Sequence, residues 1–367
     1  MAGETVHMNV ATGLATGDSA DPQLAAIAVK IAMEQLAISH ASAVLLFLSG
    51  AFGSDPQPAI LAASRQSQCI QVAGSCCHGL FTEQGEVLEG TAAAAMVFAP
   101  PYGLSLAHSP ESDDAVLSLG QPALATEASA IGRRFGGWAG LTRQGHSMPV
   151  WCNGKLLKSS LLNLYVTGCD ACLGAAHGIR LFSPPLRVTS CLDNELIALD
   201  HHPALATLAR ELPFEARQMD HIPLHLLFAA IIDGRVEGAL IEGRYRLLPL
   251  LASHPNRQSI TLDGLLDLDD TLIWCMLHEQ ASLRNFRVAL DHCLALDQSP
   301  GFGILFCSKH KASLYYNGND PELALLRRQL PGMPFIGCYS QHELAALPSG
   351  SRILDHSTSF GLLHDHV

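Results

Sequence analysis

Phe335-Ile336-Gly337-Cys338-Tyr339-Ser340-Gln341-His342-Glu343-Leu344 decides how this chain is read, because Ile70-Gln71-Val72-Ala73-Gly74-Ser75-Cys76-Cys77-His78-Gly79-Leu80 echoes it far upstream. Each copy is apolar up to a Gly and then turns small and polar. What precedes each copy repeats as well. Asp21-Pro22 opens a helical pattern, Ala43-Val44-Leu45-Leu46-Phe47-Leu48-Ser49 reads as a buried strand, and a second helical pattern runs from Gln57 to Gln66. In the second half Gly303-Ile304-Leu305-Phe306-Cys307-Ser308 is the matching strand, and Asp320-Pro321-Glu322 opens a helix to Leu330. A closing strand follows each copy, Thr91–Ala99 in one and Arg352–Leu363 in the other. A self-similar unit of this size predicts a duplicated supersecondary block. The fold class expected is α/β, with two pseudo-repeated halves and extensive mixed sheets flanked by helices.

Composition narrows the function classes. Of 367 residues, 48% are hydrophobic and only 15% charged, which describes a chain with a large core rather than a disordered one. No apolar run reaches the roughly 18 residues that a spanning helix needs. Ile222–Ile232 and Ala92–Ala99 come nearest and are cut by His225 and by Pro100-Pro101. No basic residue precedes a hydrophobic block at the N-terminus, so no secretory signal is expected. Eleven Cys, an odd number, then predict reduced thiols and a cytoplasmic protein. A formal charge of −12 without a basic stripe argues against nucleic acid as a partner.

Taken in order, residues 1–20 form a small, polar, Gly-rich lead-in that is frayed or lies at an edge. Leu24, Ile27, Ala28, Ile31, Ala32 and Leu36 recur at helical spacing behind Asp21-Pro22. Ser109–Asp114 reads as a polar loop, and the Gly-rich stretch Ile131–Gly145, with Arg133-Arg134, as a mobile connection near a site. Met148–Leu157 and Leu161–Val166 read as strands. Leu186–Cys191 and Glu195–Leu199 flank the turn residues Asp193-Asn194 and predict a hairpin. A helix over Pro203–Leu212, strands over Leu224–Ile232, Tyr245–Leu251 and Thr271–Leu277, and a helix over Glu279–Leu294 follow. Pro184-Pro185 and a change of pattern place the domain boundary there, giving domains of residues 21–184 and 185–367.

At this junction Phe182-Ser183-Pro184-Pro185-Leu186-Arg187-Val188-Thr189, running into Glu195-Leu196-Ile197-Ala198-Leu199-Asp200 and Pro203-Ala204-Leu205, resembles the FIST family. The two Gly segments match its N-terminal and C-terminal domains in the right order, and the likeness extends from about Leu24 to Leu363. The resemblance implies a sensory module of intracellular signal transduction that binds a small molecule, an amino acid or, as in bacterial nitric-oxide sensors, haem b. It further implies output through a separate partner, a histidine kinase or a cyclic-dinucleotide signalling protein. The chain departs from the family pattern where Leu80 replaces an expected acid, where His342 stands in a glycine place, and at Ser308-Lys309-His310-Lys311 and His278-Glu279.

The loops expected after the paired strands supply the ligand-binding candidates: Ser75, Cys76, Cys77 and His78 in one half, and Tyr339, Ser340, Gln341, His342 and Glu343 in the other. Small residues before a Gly also suit a tight turn with no ligand. Eighteen His make imidazole ligation of haem iron a second expectation, with His78, His278, His310 and His342 as candidate axial ligands. Cys152, Cys169, Cys172 and His177 are a weak zinc set, since one close Cys pair is present where zinc ribbons bring two. The alternative function is an enzyme with Cys76 or Cys77 as nucleophile activated by His78.

Overall fold

The computed structural model describes residues 9–107, 113–120, 132–141, 147–217, 222–242, 244–296, 299–315, 319–347 and 350–365. It forms two compact units, one of Met1–His177 with Leu283–Val367 and one of Gly178–Ser282. The sequence pattern changes at residues 184/185, whereas the compact units part at His177/Gly178 and again at Ser282/Leu283. The C-terminal segment belongs to the first unit because its strands pair with strands from the N-terminal part: Phe335–Ser340 with Gly79–Thr82, and Ser357–Asp365 with Cys169–His177.

The first unit contains three six-stranded mixed sheets. In the first sheet, the central pair Ala43–Ser49 and Val72–Cys77 is parallel and every other neighbour is antiparallel. The sheet built on Phe302–Ser308 and Phe335–Ser340 has the same order of directions. So does the sheet built on Ala115–Gly120 and Arg133–Trp138. This last strand corrects the expectation of a mobile connection over Ile131–Gly145. Residues 133–138 form a central strand; 131 and 142–145 lie outside the described residues, as do 109–112 of the expected polar loop. The glycines that suggested a loop serve packing instead. A Cβ at Gly136 would come within 1.9 Å of the Ser118 carbonyl oxygen, and one at Gly137 within 2.6 Å of the Phe306 ring.

Why these segments become strands is visible in their side chains. Ala43–Ser49 and Phe302–Ser308 are buried at every position, as expected of strands covered on both faces. Phe306 packs edge-on against Phe47 of the first sheet (6.1 Å) and against Phe135 of the second (6.5 Å), so one ring lies where the three sheets meet. Burying an aromatic ring of this kind contributes on the order of 1.5–3 kcal/mol. Alanines 92–95 keep Thr91–Phe98 thin. Helix Gln23–Leu36 comes so close to the neighbouring edge strand Val10–Gly17 that a Cβ on Gly13 would overlap the Ala28 carbonyl. Asp320 caps helix Pro321–Gln329 as its sequence predicts, accepting from the N–H groups of Glu322 and Leu323 with Pro321 in the first turn.

The second unit is a closed antiparallel barrel. Thr271–Leu277, Leu186–Leu192, Glu195–Leu199, Ser259–Leu262, Tyr245–His254 and Leu227–Ile232 pair in that order, and the last pairs back to the first. Every second residue faces inward, which is the period a strand imposes: Leu227, Ala229 and Ile231 on one strand, Leu272, Trp274 and Met276 on another. Helix Ala204–Glu211 adds Leu205 and Leu208 to that core. The chain is thus α/β with extensive mixed sheets and flanking helices.

Candidate functional site

The end of the first Gly segment pairs with the second one in the first unit. Gly79 is directly opposite Tyr339, and Leu80 opposite Cys338, in the antiparallel pair that joins strand Gly79–Thr82 to Phe335–Ser340. The strands run further than the sequence suggests. Val72–Cys77 includes Ser75, Cys76 and Cys77, and Phe335–Ser340 includes Tyr339 and Ser340, so these five belong to buried strand rather than to a loop. This corrects their assignment to the post-strand turns. The physical reason is that both faces of each strand are covered, so its polar and sulfur side chains are enclosed as the apolar ones are. Tyr339 stacks edge-on against Phe81 at 5.2 Å and donates to Asp320 Oδ2 at 3.3 Å.

What emerges at the strand ends is a cluster of imidazoles around one ammonium. Lys309 directly follows strand Phe302–Ser308, and its Nζ lies 3.2 Å from His78 Nε2. Burial, then Lys309, holds His78 down to about 4, against the opposing hydrogen bond to the Ala139 carbonyl. His310 is lowered as well, by burial first and by Lys309 next. Its ring lies 5.3 Å from that of His356, which burial and His310 lower to about 4. His342 moves the other way. Its Nδ1 is 2.5 Å from Asp355 Oδ1, and that bond raises it despite partial burial. The cluster therefore places neutral His78, His310 and His356 beside the hydrogen-bonded His342–Asp355 pair and the Lys309 amine. Both members of that pair keep more than a third of their side-chain surface exposed (39% and 36%).

Charged groups also lie in the core behind this cluster. Glu343 is fully buried, accepts from Ser340 Oγ (2.8 Å), Ser357 N (3.1 Å) and Ser357 Oγ (2.9 Å), and is pushed by burial up to about 8. Lys311 and Glu322 form an ion pair at 2.8 Å with no exposure on either side, and Thr358 Oγ1 bonds to both. Burial is the largest influence and alone would lower the Lys311 amine, but Glu322, Cys307 and Asp320 together outweigh it and raise it, so the amine stays charged.

Of the residues singled out from the sequence, His78, His310 and His342 thus come together, with Gln341 on the same turn as His342. His278 belongs to the second unit, where its Nδ1 accepts from the Ala281 N–H at 3.2 Å. The zinc set does not assemble. Cys152 stands in the first sheet and Cys169, Cys172 and His177 in another, with Cys172 hydrogen-bonded to Cys293. Among the described residues no group of three or more His, Cys, Asp or Glu is arranged to hold a metal ion. Cys76 and Cys77 are fully buried, and burial raises both thiols far above their ordinary value. A nucleophile needs a thiolate and access, and this geometry supplies neither.

The sequence reading missed Asp355, His356 and the Lys311–Glu322 pair, and it noted Lys309 only as a departure from a family pattern. One signal pointed to Lys309: it follows the C-terminal end of a fully buried strand, where open α/β sheets hold ligands.

Residues 42–202 match a family model described as the FIST N domain. A search of curated proteins gave no significant match. The matched stretch contributes His78 and Ala139 to the cluster, while Lys309, His310, His342 and Asp355 come from beyond it. FIST domains are small-ligand-binding domains of signal transduction, and the stretch over residues 42–202 of this chain is similar to the N domain of that family.

Proposed function

We propose that this protein is a cytoplasmic sensor that binds a small zwitterion, an amino acid in the first instance, at the ends of strands Phe302–Ser308 and Phe335–Ser340. The observation that carries this reading is the juxtaposition of opposite charges in one half-buried cluster. Lys309 is held at 3.2 Å by His78 and offers a cation to a carboxylate, and Asp355, paired with His342, offers a carboxylate to an ammonium group. Half-burial strengthens both interactions relative to open water. The shared order of strand directions in the sheets around Gly74 and Gly337 supports an ancestral duplication that brought two such strand ends together. Signalling then passes to a separate protein, a histidine kinase or a cyclic-dinucleotide enzyme.

A thermal-shift screen of the amino acids tests this. A ligand at about 100 times its Kd stabilises by roughly 2.7 kcal/mol. The shift should disappear in Lys309→Ala and weaken in Asp355→Asn; a screen with no shift from any amino acid would remove the reading.

Haem b is a second reading, with one observation in its favour. His342 Nδ1 bonds to a carboxylate, the arrangement that orients a metal-bound imidazole and makes its other nitrogen more basic. His78 is engaged through both Lys309 and Ala139 and suits this role less. The surrounding groups, Lys309, His310 and Asp355, fit a small polar ligand better than a porphyrin face. Haem titration decides between the two: a Soret band that persists unchanged in His342→Ala would exclude His342 as the axial ligand.

A further inference from the structure

The contact between Lys309 and His78 is also that of a nucleophile and the acceptor that positions it. The ring of His78 donates to the Ala139 carbonyl, and a neutral ring that does so keeps one lone pair; the nitrogen beside Lys309 is Nε2, 3.2 Å from the amine. Lys309 is half-buried at a strand end rather than extended into solvent, and desolvation favours the free amine. His342, whose protonated form the Asp355 hydrogen bond favours, also feels the charge of Lys309 and supplies a second point of attachment for a carboxylate.

We propose that Lys309 is a nucleophilic amine, held and aimed by His78, that captures a small 2-oxo acid as an imine. This rests on the reading that a small carboxylate ligand binds here. The Lys309 ammonium gives up one proton to solvent, and the neutral amine stays hydrogen-bonded to His78 Nε2. Its lone pair attacks the carbonyl carbon, a C–N bond forms, and the carbonyl π pair moves to oxygen, which takes a proton from solvent. Loss of that oxygen as water, with a second proton from nitrogen, leaves the protonated C=N bond. Overall, ammonium plus ketone or aldehyde gives protonated imine plus one water, with no oxidant or reductant required. The bond is reversible, as a sensor's ligand contact must be.

The experiment treats the full chain with glyoxylate and sodium cyanoborohydride, which reduces the imine to a stable secondary amine, and maps the adduct by mass spectrometry. The expected result is preferential labelling of Lys309, lost in Lys309→Arg, which keeps the charge but cannot form an imine. In His78→Ala, labelling of Lys309 should slow on the order of tenfold, while His78→Asn, which keeps an acceptor for the amine, should retain more of it, a difference that a merely structural role for His78 would not produce. Labelling spread evenly over the lysines, or equal in Lys309→Arg, would overturn the proposal. Glycolate, which has the carboxylate but no carbonyl, separates the two readings. Stabilisation by glycolate without a Lys309 adduct sinks the imine and leaves the binding site standing. No stabilisation by glycolate or amino acids and no adduct sinks both.

Discussion

Gly79 and Tyr339 are partners in one antiparallel ladder, although 259 intervening residues separate them in the chain. Their pairing sets the strand that follows Gly74 against the strand that carries Gly337, and it brings His78 beside Lys309. The cluster is therefore sensitive to anything that shifts these strands.

The first prediction concerns the glycines that let the parallel strands approach. A Cβ on Gly74 would come within 1.8 Å of the Leu46 carbonyl oxygen, and one on Gly337 within 2.2 Å of that of Leu305. Backbone cannot yield as a flexible side chain does. Gly74→Ala and Gly337→Ala should each lose at least about 1–3 kcal/mol in urea unfolding. Gly301→Ala, whose added Cβ would meet nothing nearer than the Leu363 carbonyl oxygen at 3.7 Å, is the control and should lose far less.

The buried Lys311–Glu322 pair makes a second prediction. Removing one partner leaves an uncompensated charge in the core, so Lys311→Met should cost roughly 3–5 kcal/mol. Lys311→Met with Glu322→Leu removes both charges and should recover much of that loss. A double variant no more stable than the single one would show that the pair contributes more than mutual neutralisation.

Acid stability follows from the histidines. His78, His177 and His356 are each held down to about 4, in each case chiefly by burial, against an ordinary value of 6.5. Below 6.5 the unfolded chain takes up protons that the folded chain refuses. Their contribution to stability is therefore full above pH 6.5 and lost as pH falls toward about 4. Urea midpoints measured across that window should fall with acidification, and the slope should be shallower in His356→Asn.

Glu343 acts with the opposite sign. Its folded value, about 8, lies above the ordinary 4.5, so the folded chain holds a proton that the unfolded chain releases. Its contribution is full below pH 4.5 and lost as pH rises through about 8. Glu343→Gln mimics the protonated form and should flatten the decline in stability on the alkaline side; an unchanged pH profile would show that its three donors keep the carboxyl ionised.

Much of the architecture was legible in local pattern. Uninterrupted apolar runs such as Ala43–Ser49 and Phe302–Ser308 announced strands covered on both faces, Asp320-Pro321 announced a helix start, and Asp193-Asn194 announced a hairpin. Arg133–Trp138 was not legible, because its reason for being a strand lies in partners distant in sequence. Its glycines read locally as flexibility and prove to be close approaches to Ser118 and Phe306. In the site, His78 and His342 were found because they sit next to Gly-centred repeats. Asp355 and His356 follow a strand with no such landmark.

By itself the sequence determined where strands and helices form, since burial periodicity and caps are properties of a few neighbouring residues. Which strand ends would meet was decided only in three dimensions. Charge acts through space and not along the chain, so Lys309 meets His78 only once the ladder between Gly79–Thr82 and Phe335–Ser340 has closed, and His342 meets Asp355 only once His342–Leu347 has paired with Gly350–Leu354.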